Sequence, residues 1–254
     1  MTVQELLDEL NKNVLRDRSG LVSGPADSLW DDSSLVQYLS DAQRLLASRA
    51  LVLHDSTTPS VVEVTLSTGT VQYRLHSSII AVLSAKYGDD TRDMHRTGHS
   101  ALSSFTVPDT RFFDPNTLDA LPPGKPIAWA SDEQIDTKAG VSGSVSFRVY
   151  PAPTAEYAST PIRLRTIRKP LKPLSLDNLD ATPEIPEDYH YALLDWAAYR
   201  ALRNIDSDAG NFSTADKFRQ TFDEMVAQAR KDVLRKLFAP TSWAFGRSGF
   251  VWEH

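Results

Sequence analysis

The sequence predicts an α+β fold: a helical bundle of two N-terminal and two C-terminal helices, an inserted antiparallel β domain and an extended C-terminal tail. Three observations predict it. Apolar residues recur at helical spacing through residues 2–49, alternate with period two through the middle of the chain, and return to helical spacing from Glu187 to about Leu237. The divisions expected are the N-terminal helices at 1–52, the β domain at 53–186, a C-terminal helical hairpin completing the bundle at 187–237, and the tail at 238–254.

Val3, Leu6, Leu7, Leu10 and Val14 predict a first helix over residues 2–17, ending near Ser19-Gly20, where glycine can adopt the left-handed cap. A second helix follows Trp30. Asp31 or Asp32 can accept hydrogen bonds from the open amides of its first turn, and their negative charge suits the helix N-terminus. Leu35, Leu39, Ala42 and Leu46 share one face, which Tyr38 and Leu45 widen, while Gln37, Asp41 and Arg44 point elsewhere.

The period then changes. Val62, Val64 and Leu66 alternate, Ser67-Thr68-Gly69 makes a turn, and Val71, Tyr73 and Leu75 alternate again, which predicts a hairpin. Residues 79–83 predict a third strand and residues 93–104 a short helix, ahead of a proline-rich passage from Pro108 to Pro126. Residues 127–130, 145–150 and 162–167 read as strands, the last alternating apolar and basic as a strand with one wet face does. Pro170, Pro173, Pro183 and Pro186 mark a linker that returns across the surface toward the first two helices. Tyr189, Ala192, Leu193, Trp196, Tyr199 and Leu202 build one face of a third helix, to about Ser207. Phe212, Ala215, Phe218, Phe222, Met225, Ala229 and Val233 build the fourth, to about Leu237, giving a helical hairpin.

Composition narrows the function. With 254 residues and 41% hydrophobic content the chain can bury a real core. A net charge of −6 argues against binding DNA by phosphate neutralisation, which needs clustered Lys and Arg in excess. The absence of cysteine rules out disulfides, thiolate metal sites and a thiol nucleophile. The N-terminal residues mix acids with apolar residues, unlike a signal peptide, and no apolar run reaches membrane-spanning length, so the product is expected in the cytoplasm until assembled or released.

Trp30, the Asp31-Asp32-Ser33-Ser34 cluster, and then Leu35-Val36-Gln37-Tyr38-Leu39-Ser40-Asp41-Ala42-Gln43-Arg44 resemble the start of the head-to-tail adaptor proteins of tailed bacteriophages; that family has Asn where Ser40 stands. Further stretches resemble it in the same order. Phe147-Arg148-Val149-Tyr150-Pro151-Ala152-Pro153 is similar to its strand ending in an aromatic and a proline. Ile185-Pro186-Glu187-Asp188-Tyr189-His190, through Asp195-Trp196-Ala197-Ala198-Tyr199-Arg200-Ala201, is similar to its approach to the third helix, and Ala215 to Phe222 to the helix after it. The resemblance runs over roughly residues 2–237, and order and coverage carry it, since no piece is a catalytic signature.

Candidate chemical sites compete with plainer readings. His95 and His99 would share a helix face as paired zinc ligands do, but no Glu lies beside His95, and a solvated polar helix is the expectation. Asp89-Asp90 and Asp31-Asp32 stand where turns or caps need them, and carboxylates of one dipeptide normally point apart. Gly124-Lys125 lacks the upstream glycine of a phosphate loop, and no Gly-x-Ser-x-Gly elbow is present. Asn211-Phe212-Ser213 matches a glycosylation pattern yet reads as the cap of the last helix. Asp188 and Asp195, two turns apart, support an alternative: a virion-associated cell-wall hydrolase using paired carboxylates. No enzyme activity, cofactor or metal is expected.

The tail differs from everything before it. Phe238, Trp243, Phe245, Phe250 and Trp252 crowd residues 238–254 with no helix or strand pattern organising them. If each buries roughly 150–250 Å² at about 25 cal/mol/Å², the gross gain is on the order of 20–30 kcal/mol, so something should receive them. That receiver is either the chain's own β domain or a cleft in a partner. The adaptor resemblance implies the second, with these five residues as the portal-binding set.

The resemblance as a whole implies a virion structural protein. It would form a ring, twelvefold in that family, beneath the portal protein and leave a channel for the genome. Its partners would be the portal, its own copies, and tail tube, nozzle or fibre proteins, with no sequence-specific nucleic-acid binding and no membrane. It would assemble in the host cytoplasm and end in the virion neck. A tail-tube or stopper component is the alternative within the structural class.

Overall fold

The computed structural model describes residues 1–15, 30–97, 123–132, 145–203 and 212–248, with backbone alone at Asp132 and beyond Leu237. In chain order its main elements are α1 (Val3–Glu9), a π-helical turn (Leu10–Val14), α2 (Asp32–Ala50), β1 (His54–Asp55), β2 (Glu63–Val64), β3 (Gln72–Arg74), β4 (Ile79–Tyr87), β5 (His95–Arg96), β6 (Ala128–Asp132), β7 (Ser146–Tyr150), β8 (Ile162–Arg168), α3 (His190–Leu202) and α4 (Phe212–Ser248). The class is α+β, and the chain divides into two units. One unites residues 1–53 with 170–254; the other is His54–Lys169.

The helical unit begins with a reciprocal cap. Thr2 Oγ1 accepts the Glu5 amide at 3.2 Å while Glu5 Oε2 accepts the Thr2 amide at 2.9 Å, so two open donors are satisfied together. Instead of one α-helix over residues 2–17, the chain is α-helical to Glu9 and then widens into the π turn, closed by the Leu15 amide on the Leu10 carbonyl at 2.8 Å. This places Leu10 in the core and lets Val14 pack against it. Ser19-Gly20 lies outside the described residues.

The cap of α2 also differs from expectation. Asp31 occupies the cap position, but its carboxylate accepts the Ser33 hydroxyl and takes no backbone amide. Its main-chain carbonyl accepts the Ser34 and Leu35 amides, and its charge still sits at the positive end of the helix. Asp32 accepts Asn11 Nδ2 at 3.2 Å, joining α2 to the π turn. Leu35, Leu39, Ala42 and Leu46 are fully buried, as their spacing predicts. Leu51 ends the helix in the left-handed region at φ 60°.

Residues 170–186 belong with the helices, earlier than the expected boundary after residue 186, because Leu174 and Ile185 bury in the helical core. Gln43, 1% exposed, fastens this return. Its Oε1 accepts the Glu184 amide at 2.9 Å and its Nε2 donates to the Lys172 carbonyl at 3.4 Å, so both of its buried polar ends are paired. Ser40 Oγ accepts the Leu174 amide at 3.2 Å. α3 buries more than its predicted stripe: Leu194, Ala197, Ala198 and Ala201 join Ala192 and Leu193, as befits a helix touched by α2, α4 and the π turn.

The inserted unit holds two four-stranded sheets. In one, β8 pairs with β4 along its length and with both β1 and β2; in the other the order is β3-β7-β6-β5. Every pairing is antiparallel except β5 with β6. The predicted 62–75 hairpin does not form. Its turn is real, with the Thr70 amide on the Ser67 carbonyl and Gly69 at φ 73°, but β2 pairs with β8 while β3 pairs with β7 in the other sheet. Alternation reports which face is buried and is silent about which strand lies alongside. The predicted 93–104 helix is also overturned where described. Buried Met94 donates its amide to Ala85, and His95 and Arg96 enter the second sheet beside Ala128 and Trp129.

One core joins the sheets, with Val64, Leu75, Val82, Trp129, Phe147, Val149, Ile162 and Leu164 buried together and Trp129 stacked on Phe147 at 5.6 Å. β8 alternates as predicted, with Ile162 and Leu164 in and Arg163 and Arg165 out. Asp55 locks the edge. Burial opposes its charge, yet the amides of Thr57 and Thr58 and the guanidinium of Arg168, 2.6 Å away, hold its carboxyl well below the usual carboxylate range.

Candidate interaction surface

The solvent faces of α2, α3 and α4 carry a connected set of ion pairs and ring contacts. Arg200 lies 5.0 Å above the Tyr38 ring and 3.9 Å from Asp41, tying α3 to α2. Arg203 and Arg219 both approach the ring of Tyr199, at 5.7 and 5.9 Å. Asp223 is shared by Arg49 at 3.0 Å and Arg219 at 3.9 Å, which closes α4 onto the end of α2. Each exposed pair contributes only about 0–1 kcal/mol, so the set holds helix register more than it adds stability. Beneath it Trp196 packs against Tyr199 and Phe222, with ring centroids 5.2 and 5.0 Å away.

His190 is a buried tie at the start of α3. Its Nε2 donates to the Ile185 carbonyl at 3.1 Å, which leaves Nδ1 to accept from the Met1 ammonium at 3.2 Å. Burial pushes its imidazole below the usual histidine range. Nothing in the helical periodicity singles it out, because a histidine on a buried stripe and one in solvent look alike in sequence.

Three features project outward. Tyr191 is 63% exposed and Phe212 55%, the most exposed large apolar side chains of the helical unit among the described residues. Asp195 is half-buried one turn after Tyr191, and burial raises its carboxyl to about 6. Among the described residues it makes no hydrogen bond or ion pair. Between the end of α2 and the middle of α4 runs a groove of about 430 Å³ with Leu51, Val226 and Ala227 along it and Arg49, Asp223 and Arg230 at its edges.

The residues singled out from sequence fall differently. Phe238, Trp243 and Phe245 lie on the backbone of α4, which continues to Ser248, so residues 238–248 are helical where an extended tail is expected. Pro240 costs one i→i−4 bond and about 3 kcal/mol, a loss that a long helix already nucleated can absorb. Phe250 and Trp252 lie outside the described residues. Asp188 sits exposed in the 3₁₀ turn Glu187–Tyr189, ahead of the α-helix that carries Asp195, so the two carboxylates do not share one helix face as expected. Asp89 and Asp90 are divided between two cations, Arg163 at 2.6 Å and Lys125 at 2.7 Å. His95 is exposed on a strand, and His99 and Asn211 lie outside the described residues. Among the described residues no group of three His, Asp or Glu could hold a metal ion, and no helix is long and apolar enough to cross a membrane.

The helical unit thus carries ion pairs, exposed aromatic side chains and a groove on its outer faces. The family model for the SU10 adaptor protein matches residues 1–243, and the chain belongs to that family of phage head-to-tail adaptors. The match takes in both units and most of α4. A search of curated proteins finds no match. Membership makes this a bacteriophage structural protein of the virion neck that associates with portal and tail proteins.

Proposed function

We propose that copies of this protein form a closed ring beneath the portal, join it to the tail and leave a central channel for DNA. The observation that carries this reading is the family match over residues 1–243. Two features of the chain support it. A net charge of −6 suits a channel wall that must not grip passing DNA, and the aromatic residues Phe238, Trp243, Phe245, Phe250 and Trp252 supply an adhesive C-terminal segment for the portal. The resemblance implies twelve copies, matching the portal, with assembly in the host cytoplasm before incorporation into the virion.

Electron microscopy of the purified protein mixed with its portal tests the reading. The expected result is an added ring coaxial with the portal; portals that remain bare at saturating protein overturn it.

A further inference from the structure

A closed ring obliges each copy to meet its neighbours, and the contact assigned to them here rests on that proposed ring. We propose that neighbouring copies join by seating Tyr191 of one copy in the α2–α4 groove of the next, with Asp195 pairing there with Arg230. Three separate features fit together in this contact. Tyr191 is 63% exposed, an aromatic side chain whose apolar area the helical unit does not cover. Asp195, one turn further along α3, is partly withdrawn from water with no cation or donor beside it among the described residues, which costs stability in the isolated chain. The groove offers an apolar floor of Leu51, Val226 and Ala227, and on its rim Arg230 is exposed with no carboxylate partner among the described residues, while Arg49 is occupied by Asp223.

Charge complementarity selects a second copy as the occupant. Among the described residues, the acid without a cation and the base without an acid lie on different helices of the same unit, and no residue of α3 lines the groove. A surface of this kind is heterologous: each copy offers the α3 projection once and receives it once, so a closed ring leaves none unsatisfied. A Tyr side chain burying roughly 150–250 Å² against apolar walls, with a desolvated charge pair beside it, has the composition of an interface hot spot. Covering Asp195 with a guanidinium also turns a destabilising group of the lone chain into a stabilising one of the assembly.

The chain contains no cysteine, so engineered pairs report contacts without background. In rings assembled on the portal, a Tyr191→Cys/Ala227→Cys variant should give a ladder of covalent multimers on oxidation, while either single variant should give no ladder. Tyr191→Ala and Arg230→Asp, both at exposed positions, should lower ring yield about tenfold or more with unchanged circular dichroism. Combining Asp195→Arg with Arg230→Asp should restore part of that yield. Normal ring yield from both exposed variants, with no ladder from the double-cysteine chain, overturns this contact and leaves the ring standing. A chain that stays monomeric even with portal present overturns both.

Discussion

The indole Nε1 of Trp30 donates to the main-chain carbonyl of Ala201 at 3.2 Å, joining the residue that precedes α2 to the last turn of α3. Trp30 is 8% exposed and belongs to the same core as Leu35, Leu39 and Ala201. The bond therefore closes the bundle across the whole inserted unit, between helices that are distant in sequence. Trp30→Phe, which keeps most of the apolar area and loses the donor, should cost about 1–2 kcal/mol; Trp30→Ala should cost about 3–5 kcal/mol. Thermal unfolding followed by far-ultraviolet circular dichroism measures both, and a Trp30→Phe variant as stable as wild type would discount the hydrogen bond.

Asp195 makes stability depend on pH in a stated direction. Burial raises its carboxyl from an ordinary 3.8 to about 6, so between those values the folded chain holds a proton that the unfolded chain has lost. Its contribution is therefore neutral below about pH 4, worsens as pH rises to about 6, and stays unfavourable above that. Asp195→Asn should flatten this slope and stabilise the lone chain at pH 7.5 by about 1–2 kcal/mol, a value reduced from the full shift because the group is only half-buried. Urea titrations at pH 5 and 7.5 on wild type and variant decide it. The same variant should assemble less well if the carboxylate meets Arg230 of a neighbour.

Asp55 behaves in the opposite sense. Its carboxyl is held below the usual range despite burial, so its stabilisation is complete above the ordinary carboxylate range and is lost as pH falls through the lowered value. Arg168→Ala leaves that buried carboxylate without its cation and should destabilise the inserted unit by about 3–5 kcal/mol. Hydrogen exchange should then accelerate in β1, β4 and β8 and leave α2 and α3 unchanged. A uniform change across the two units would contradict this placement.

Removing residues 238–254 should leave a folded chain, since Ala215, Phe222, Val226 and Ala229, the buried residues of α4 among the described side chains, all precede the cut. Portal binding by that truncated chain should fall about 100-fold, with Trp243→Ala and Trp252→Ala each accounting for about tenfold. Surface plasmon resonance on immobilised portal measures the loss. Undiminished binding would reject the tail as the portal contact.

Much of the helical unit was legible because its signals are local and repeated. The stripe Leu35, Leu39, Ala42, Leu46 is fully buried, and the Phe222 and Ala229 positions of α4 are buried at the predicted spacing. Gln43 and His190 were not legible, since a polar residue on an apolar face declares nothing until its partners, Glu184 and Lys172 or Ile185 and Met1, are brought to it. Residues 62–75 fail for a related reason. Their alternation and their turn are both present, yet the strands they form join different sheets. The end of α4 fails differently, because Pro240 marks a local cost that the length of the helix outweighs.

By itself the sequence determined the α+β class, the places of the four main helices and of most strands, the burial face of most of them, and the family, because period, capping residues and motif order are properties of neighbouring residues. Only the tertiary structure decided that β8 is shared by three strands, that residues 170–186 pack with the helices, and that Asp195 lacks a cation while Arg230 lacks an acid among the described residues. Those are relations between groups far apart along the chain. Pairing, desolvation and unsatisfied charge have no value until folding sets the distances on which they depend.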